Sequence, residues 1–231
     1  MREIALDTQA ATAVAIIEDG RVIGRAHNDS GRHHAESITP LVREALGDAG
    51  LPPTLADAGI DRVLVGTGPA PFTGLRSGLV SARVLARVAG VPAYGVSALD
   101  VIARQGLDLL APDTRVYAIA DARRRELYWG SYVAAGPDDV TLEGRLEVGD
   151  VSVLLGSMRT APGLVVAGAP IPAHSVDALA HVDLGPQVSL DPAVMSRIVA
   201  TRLTRGESDR LGTDPLYLRR PDIQGQPTAR L

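Results

Sequence analysis

The stretch Gly66-Thr67-Gly68-Pro69-Ala70-Pro71-Phe72-Thr73-Gly74-Leu75-Arg76-Ser77-Gly78 follows the apolar run Arg62-Val63-Leu64-Val65. It precedes a helical pattern in which Leu75, Leu79, Ala82, Ala86 and Ala89 mark one face, ending at Gly90. Strand, glycine-rich turn and helix together read as an α/β unit, and such a turn is where many proteins cradle a phosphate. Two features make this one a poor cradle. Pro71 removes a backbone N–H from it, and the chain has no lysine to reach a phosphate. The turn therefore reads as a device that aims its helix, with Gly68 and Gly74 taking conformations other residues resist. Phe72, the only phenylalanine, is expected to plug the core beneath it, and Arg76 and Arg83 share one helix face by spacing.

Working outward towards the N-terminus, Ile4–Thr8, Thr12–Ile17 and Arg21–Gly24 alternate with tight turns and read as three antiparallel strands. Ile38, Leu41, Val42, Ala45 and Leu46 recur at helical spacing, predicting an amphipathic helix over 35–47 with Pro40 tolerable near its first turn. A short helix is expected over 54–58. Beyond the glycine-rich unit, Pro92–Val96 is a short buried strand, and Ser97 with Asp100 three residues on resembles a capping box for the next helix.

The opening pattern then recurs. Arg115–Asp121 is a strand ending in Asp, as Ile4–Asp7 is, and the turn Ala122-Arg123-Arg124-Arg125 leads to Glu126–Val133. Leu164–Pro170 echoes Leu64–Pro69. This implies an α/β protein of duplicated, hairpin-led halves. The expected division is a lobe over 1–105, a second over 106–221, and a loose polar tail over 222–231. A helix over 192–204 is expected to pack back on the first lobe.

Composition bounds the function. A hydrophobic content of 45% suffices for a core, and a net charge of −4 does not suit a general nucleic-acid binder. The apolar runs fall short of a membrane span and no export signal opens the chain, so no membrane role and a cytoplasmic location are expected. The absence of cysteine excludes disulfides, thiolate nucleophiles and cysteine metal sites, and the absence of lysine excludes Schiff-base chemistry.

Ile4–Thr8, His34-Ala35-Glu36, Gly68-Pro69 with Phe72–Arg76, Gly95–Leu99, Asp121–Arg124 and Pro215–Arg219 together resemble the TsaB (YeaZ) family, within the actin-like (ASKHA, ribonuclease H-like) superfamily. Phe72–Arg76 with Gly78 is the most specific segment. Ala70-Pro71 departs from the Gly-Ser usual before the Phe. The resemblance implies a two-lobed actin-like fold. It also implies a non-catalytic dimerisation and activating subunit for a TsaD-type transferase, which makes threonylcarbamoyladenosine beside the tRNA anticodon. A TsaE-type ATPase would join the complex, the chain would form homodimers when alone, and tRNA would be met only through the complex. No intrinsic cofactor is implied; ATP or ADP is expected at the complex interface.

In the transferase, the helix after the Gly-Val strand carries two histidines one turn apart that hold a metal. Here those positions are Ala98 and Ile102, neither able to ligate. His33 and His34, adjacent on a helix, point about 100° apart and do not serve one metal. The resemblance puts the partner interface on two small-residue helices, at His34, Ser37, Ile38, Leu41, Ala45, Leu75, Gly78, Leu79 and Ala82. Gly78, Ala82 and Ala45 are expected to let the two helices approach closely. Asp7, Thr8 and Asp121 are candidates for nucleotide proximity. The alternative for Asp7 is to satisfy backbone N–H groups of its own hairpin, and for Asp121 and Arg123–Arg125 a solvated hairpin tip. Two rival functions stay open: an actin-like ATPase or kinase, with Gly168-Ala169-Pro170 as a thin adenosine-site candidate, and a peptidase of the wider family.

Overall fold

The computed structural model describes residues 1–29 and 34–219. Arg2–Asp7 (β1), Thr12–Glu18 (β2) and Arg21–Asn28 (β3) form an antiparallel meander, followed by helix α1 (His34–Asp48), strand β4 (Arg62–Gly66), helix α2 (Phe72–Ala89), strand β5 (Ala93–Val96) and helix α3 (Ala98–Leu107). The pattern then repeats: β6 (Val116–Asp121), β7 (Leu127–Ala134), β8 (Val140–Gly149), α4 (Val151–Thr160), β9 (Leu164–Ala167) and α5 (Ala173–Leu179), with α6 (Val194–Thr204) closing the series. The first sheet runs β3-β2-β1-β4-β5 and the second β8-β7-β6-β9. In each, the strand after the helix joins parallel to the first strand of the meander, β4 on β1 and β9 on β6. The duplicated actin-like architecture is therefore present in the hydrogen bonding itself.

Sheet position explains strand composition. β1 and β4 are central, and their apolar side chains are buried on both faces, whereas edge strand β3 alternates exposed and buried residues. Helices α1 and α2 cover one face of the first sheet through Leu41, Leu46, Leu75, Leu79 and Ala82. Helix α6 covers its other face, packing Met195, Ile198 and Val199 on Ala5, Leu64 and Val96. Helix α3 turns Leu99, Ile102 and Leu107 to the second sheet and Val101 to the α6 side. Thus α3 and α6 form a shared middle layer. A buried ion network ties that layer together: Arg202 pairs with Asp100 at 2.7 Å and Asp139 at 2.8 Å.

Several expectations change here. Residues 54–58 form a single turn closed by Ala58 N–H to Thr54 C=O rather than a helix. Pro52-Pro53 ahead of it and Gly59 at φ +64° behind it leave too little chain to propagate. Pro40 lies inside α1, beyond its first turn, on the solvent side. Ser97 does cap α3, accepting from Leu99 N–H, but Asp100 does not complete a capping box. Its carboxylate instead accepts from Tyr132 Oη at 3.0 Å and from Arg202, because a buried guanidinium is the stronger partner. The tail over 222–231 lies outside the described residues.

Candidate functional site

The glycine-rich turn is filled by the protein's own first hairpin. A Cβ at Gly66 would overlap Asp7 Oδ2, so glycine there makes room for the buried carboxylate. A Cβ at Gly78 would sit 2.5 Å from Thr8 Oγ1, and Thr8 Oγ1 donates to Gly74 C=O at 2.9 Å. Gly78 thus receives the hairpin rather than α1, correcting the close-approach role expected for it between the helices. The close approach of α1 is instead to β3, where a Cβ at Gly24 would overlap the Ala45 carbonyl. Ser97 Oγ–H and Ala98 N–H both donate to Gly68 C=O, and Gly68 takes φ +91°, a conformation suited to glycine. Phe72 is not a core plug. It is partly exposed and stacks on Tyr217, ring centroids 4.8 Å apart.

Asp7 and Asp121 occupy matching places at the ends of β1 and β6, and each accepts a backbone N–H two residues on, from Gln9 and Arg123, both at 2.7 Å. Asp7 does satisfy its hairpin backbone. Burial nevertheless pushes its carboxyl up to about 6, against the lowering effect of the Gln9 bond. Asp7 lines a cavity of about 740 Å³ with Ala10 and Ser189. Asp121, Arg123 and Gln9 line a neighbouring one of about 220 Å³. Gly168, Ala169 and Pro170 border both. Thr8 lines neither; it is buried under α2. Gln9, unremarked in the sequence, is buried with Oε1 lacking a hydrogen-bond partner among the described residues. Its only sequence signal is its place just after the strand-ending Asp-Thr. Arg123, Arg124 and Arg125 all take positive φ, at 61°, 52° and 63°, and all are exposed at the hairpin tip. Among the described residues, no three His, Cys, Asp or Glu side chains cluster as metal ligands, and no helix is long and apolar enough to cross a membrane.

Helices α1 and α2 lie side by side on the first sheet, and of the nine residues expected on them, Ile38, Leu41, Ala45, Leu75, Gly78, Leu79 and Ala82 are buried within the chain. They hold the pair in place. Ser37 is half-buried and accepts from Asn28 Nδ2 at 3.1 Å; the side chains of His33 and His34 lie outside the described residues. What α2 offers outward is an apolar stripe: Val80, Val84 and Val88, spaced four apart, are 59%, 54% and 67% exposed. Its four-residue spacing is visible in the sequence, but exposure is a property of the folded helix. On α3, Ala98 and Ile102 are fully buried, and Ile102 packs so closely on Gly168 that a Cβ there would overlap it.

Fold and site define a two-lobed actin-like protein whose glycine-rich turn is packed by its own hairpin and whose second helix shows an apolar face. A family model described as "TsaD: tRNA N6-adenosine threonylcarbamoyltransferase" matches residues 25–155. The chain is 36% identical over 224 residues to an uncharacterised protein of Mycobacterium tuberculosis, spanning 96% of this chain and 93% of that one. It is 40% identical over 134 residues to the tRNA threonylcarbamoyladenosine biosynthesis protein TsaB of Escherichia coli, across 57% of this chain and 55% of that protein. A crystal structure from Pseudomonas aeruginosa, of a protein described as similar to peptidase YeaZ, superposes with TM-score 0.70 at 26% identity, covering 94% of this chain and 99% of that one. The chain belongs to the TsaD family, and within it to the TsaB (YeaZ) branch.

Proposed function

We propose that the chain is a non-catalytic subunit that binds a TsaD-type transferase through the outward face of α1 and α2, and so supports threonylcarbamoyladenosine synthesis beside the tRNA anticodon. The carrying observation is the stripe Val80–Val84–Val88, exposed on a helix whose inner face is already satisfied by its own core. An apolar face left open on a well-packed helix suits a protein partner. Membership in the TsaD family and the likeness to TsaB of E. coli support the choice of partner. Buried Ala98 and Ile102, where the transferase carries its metal-binding histidines, support the division of labour. Ser37, Ile38, Leu41, Ala45, Leu75, Gly78, Leu79 and Ala82 then act by setting the two helices. A second copy of the chain occupies the same stripe when the transferase is absent. A TsaE-type ATPase joins the assembled pair, tRNA is met only through it, and ATP or ADP sits at its junction.

The test is Val84→Glu. A buried, unpaired carboxylate at the centre of an interface is costly, so titration calorimetry with the transferase should show at least about a hundredfold weaker binding, with the far-UV circular dichroism of the chain alone unchanged. Undiminished binding would sink the reading. So would transfer of threonylcarbamoyl to tRNA by the purified chain alone.

A further inference from the structure

Two motifs far apart in the sequence, Phe72–Arg76 and Pro215–Arg219, meet in space. The segment over 212–219 has no regular secondary structure, yet side chains of α2 hold it closely. Arg83 donates to Thr213 Oγ1 at 3.0 Å and its C=O at 2.7 Å, and pairs with Asp214 at 3.0 Å. Leu216 N–H donates to Thr67 C=O at 2.9 Å. Arg76 donates to Tyr217 Oη at 2.8 Å, and its guanidinium lies 5.6 Å from the Tyr217 ring and 5.5 Å from that of Phe72.

The segment then crosses to the other half of the molecule. Tyr217 packs on the core of the first sheet and the next residue, Leu218, on that of the second. Arg219 donates to Ala122 C=O and pairs with Glu126, gripping both ends of the β6–β7 hairpin that carries Arg123–Arg125. By helical spacing, Arg76 and Arg83 sit one step round α2 from Val80 and Val84, so the segment runs beside the apolar stripe.

We propose that residues 212–219 are an intramolecular strap that couples α2 to the β6–β7 hairpin, so that the partner-facing helix and the arginine-bearing hairpin tip move as one body. A short segment anchored by side chains at both ends passes displacement from one anchor to the other because few residues lie between them to take up the slack. Its physical warrant is the contiguous chain of contacts from Arg83 to Glu126. The role given to α2 rests on the function proposed above; the coupling itself does not.

Hydrogen exchange followed by mass spectrometry on the full chain tests it. Tyr217→Ala removes the Arg76 and Phe72 anchor on α2, the one nearest the crossing, and leaves Arg83 upstream and Arg219 and the hairpin untouched. Exchange at the hairpin amides Ala122 and Glu126 should rise about tenfold while β1 and β4 keep their protection. Tyr217→Phe, which keeps the ring stack and loses only the Arg76 hydrogen bond, should give a smaller rise at the same amides. Acceleration confined to 213–219 would overturn the coupling, as would acceleration spread evenly through β1 and β4, which would make Tyr217 an ordinary core residue. Added transferase should protect the hairpin in the wild-type chain and α2 alone in Tyr217→Ala. If Val84→Glu proves harmless to transferase binding, the proposed function fails while the exchange of the isolated chain still decides the strap.

Discussion

At Gly66 a single missing methyl group sets the relation between the turn and the first hairpin. The Asp7 carboxylate occupies the space a side chain would need. Gly66→Ala should therefore cost about 1–3 kcal/mol by overpacking. Combining it with Asp7→Ala should recover much of the loss, a coupling above about 1 kcal/mol in a urea-unfolding double-mutant cycle. Strict additivity would show that the two residues do not share the space. Asp7 also gives stability a pH dependence of defined sign. Its folded value of about 6 lies above the ordinary 3.8, so the folded state holds a proton the unfolded chain has lost. The contribution is fully present below about pH 4 and disappears as pH rises through about 6, at most about 3 kcal/mol in all. Asp7→Asn keeps an acceptor for Gln9 N–H and carries no charge. Its stability should overtake that of the wild type between pH 4 and 7, measured by thermal melts across that range. Parallel pH profiles would refute the assignment.

At the scale of elements, α6 acts as a clasp. Its apolar face lies on the first sheet, while Arg202 reaches Asp100 on α3 and Asp139 ahead of β8, and Arg205 pairs with Asp139 at 3.2 Å. Asp139 is fully buried, and these guanidinia are its ion-pair partners. Arg202→Met keeps most of the side-chain volume but leaves buried carboxylates short of their partner, and should lower unfolding free energy by about 3–5 kcal/mol in urea titration. A loss within about 0.5 kcal/mol would mean that Arg205 and water carry the network without it. Helix α2 shows the same division of faces: its inner residues set its position and its outer valines remain available. The sequence marks its C-terminus at Gly90, which does take the left-handed conformation at φ 70° and caps the helix. Its N-terminus carries no such mark. Pro71 stands at the N-cap with no side-chain cap bond, so no local signal marks the start.

For the whole molecule, local physics carried the order of elements. Period-2 and period-3.6 patterns located the first meander, the first two strands of the second, helices α1, α2, α3 and α6 and the echo between the halves, because apolar periodicity records which side of each element faces a core; β8, α4 and α5 came only from the structure. The strand-ending aspartates Asp7 and Asp121 could be paired from sequence because each half repeats the same hairpin, and their backbone-capping role follows from chain-local geometry. Only the tertiary structure decided what fills each glycine, where Phe72 turns, and which charge holds Asp100. Those partners lie far off along the chain, as Thr8 does from Gly74, 66 residues away. Buried glycine and buried aspartate are each explained by a neighbour that sequence spacing does not name. The valine stripe and the strap belong to the same class, since exposure and contact are properties of the folded surface. Sequence alone determined an α/β protein built of two like halves; the pairing of β1 beside β4 and beneath α2, within the first half, decided that the turn between β4 and α2 receives the chain's own hairpin.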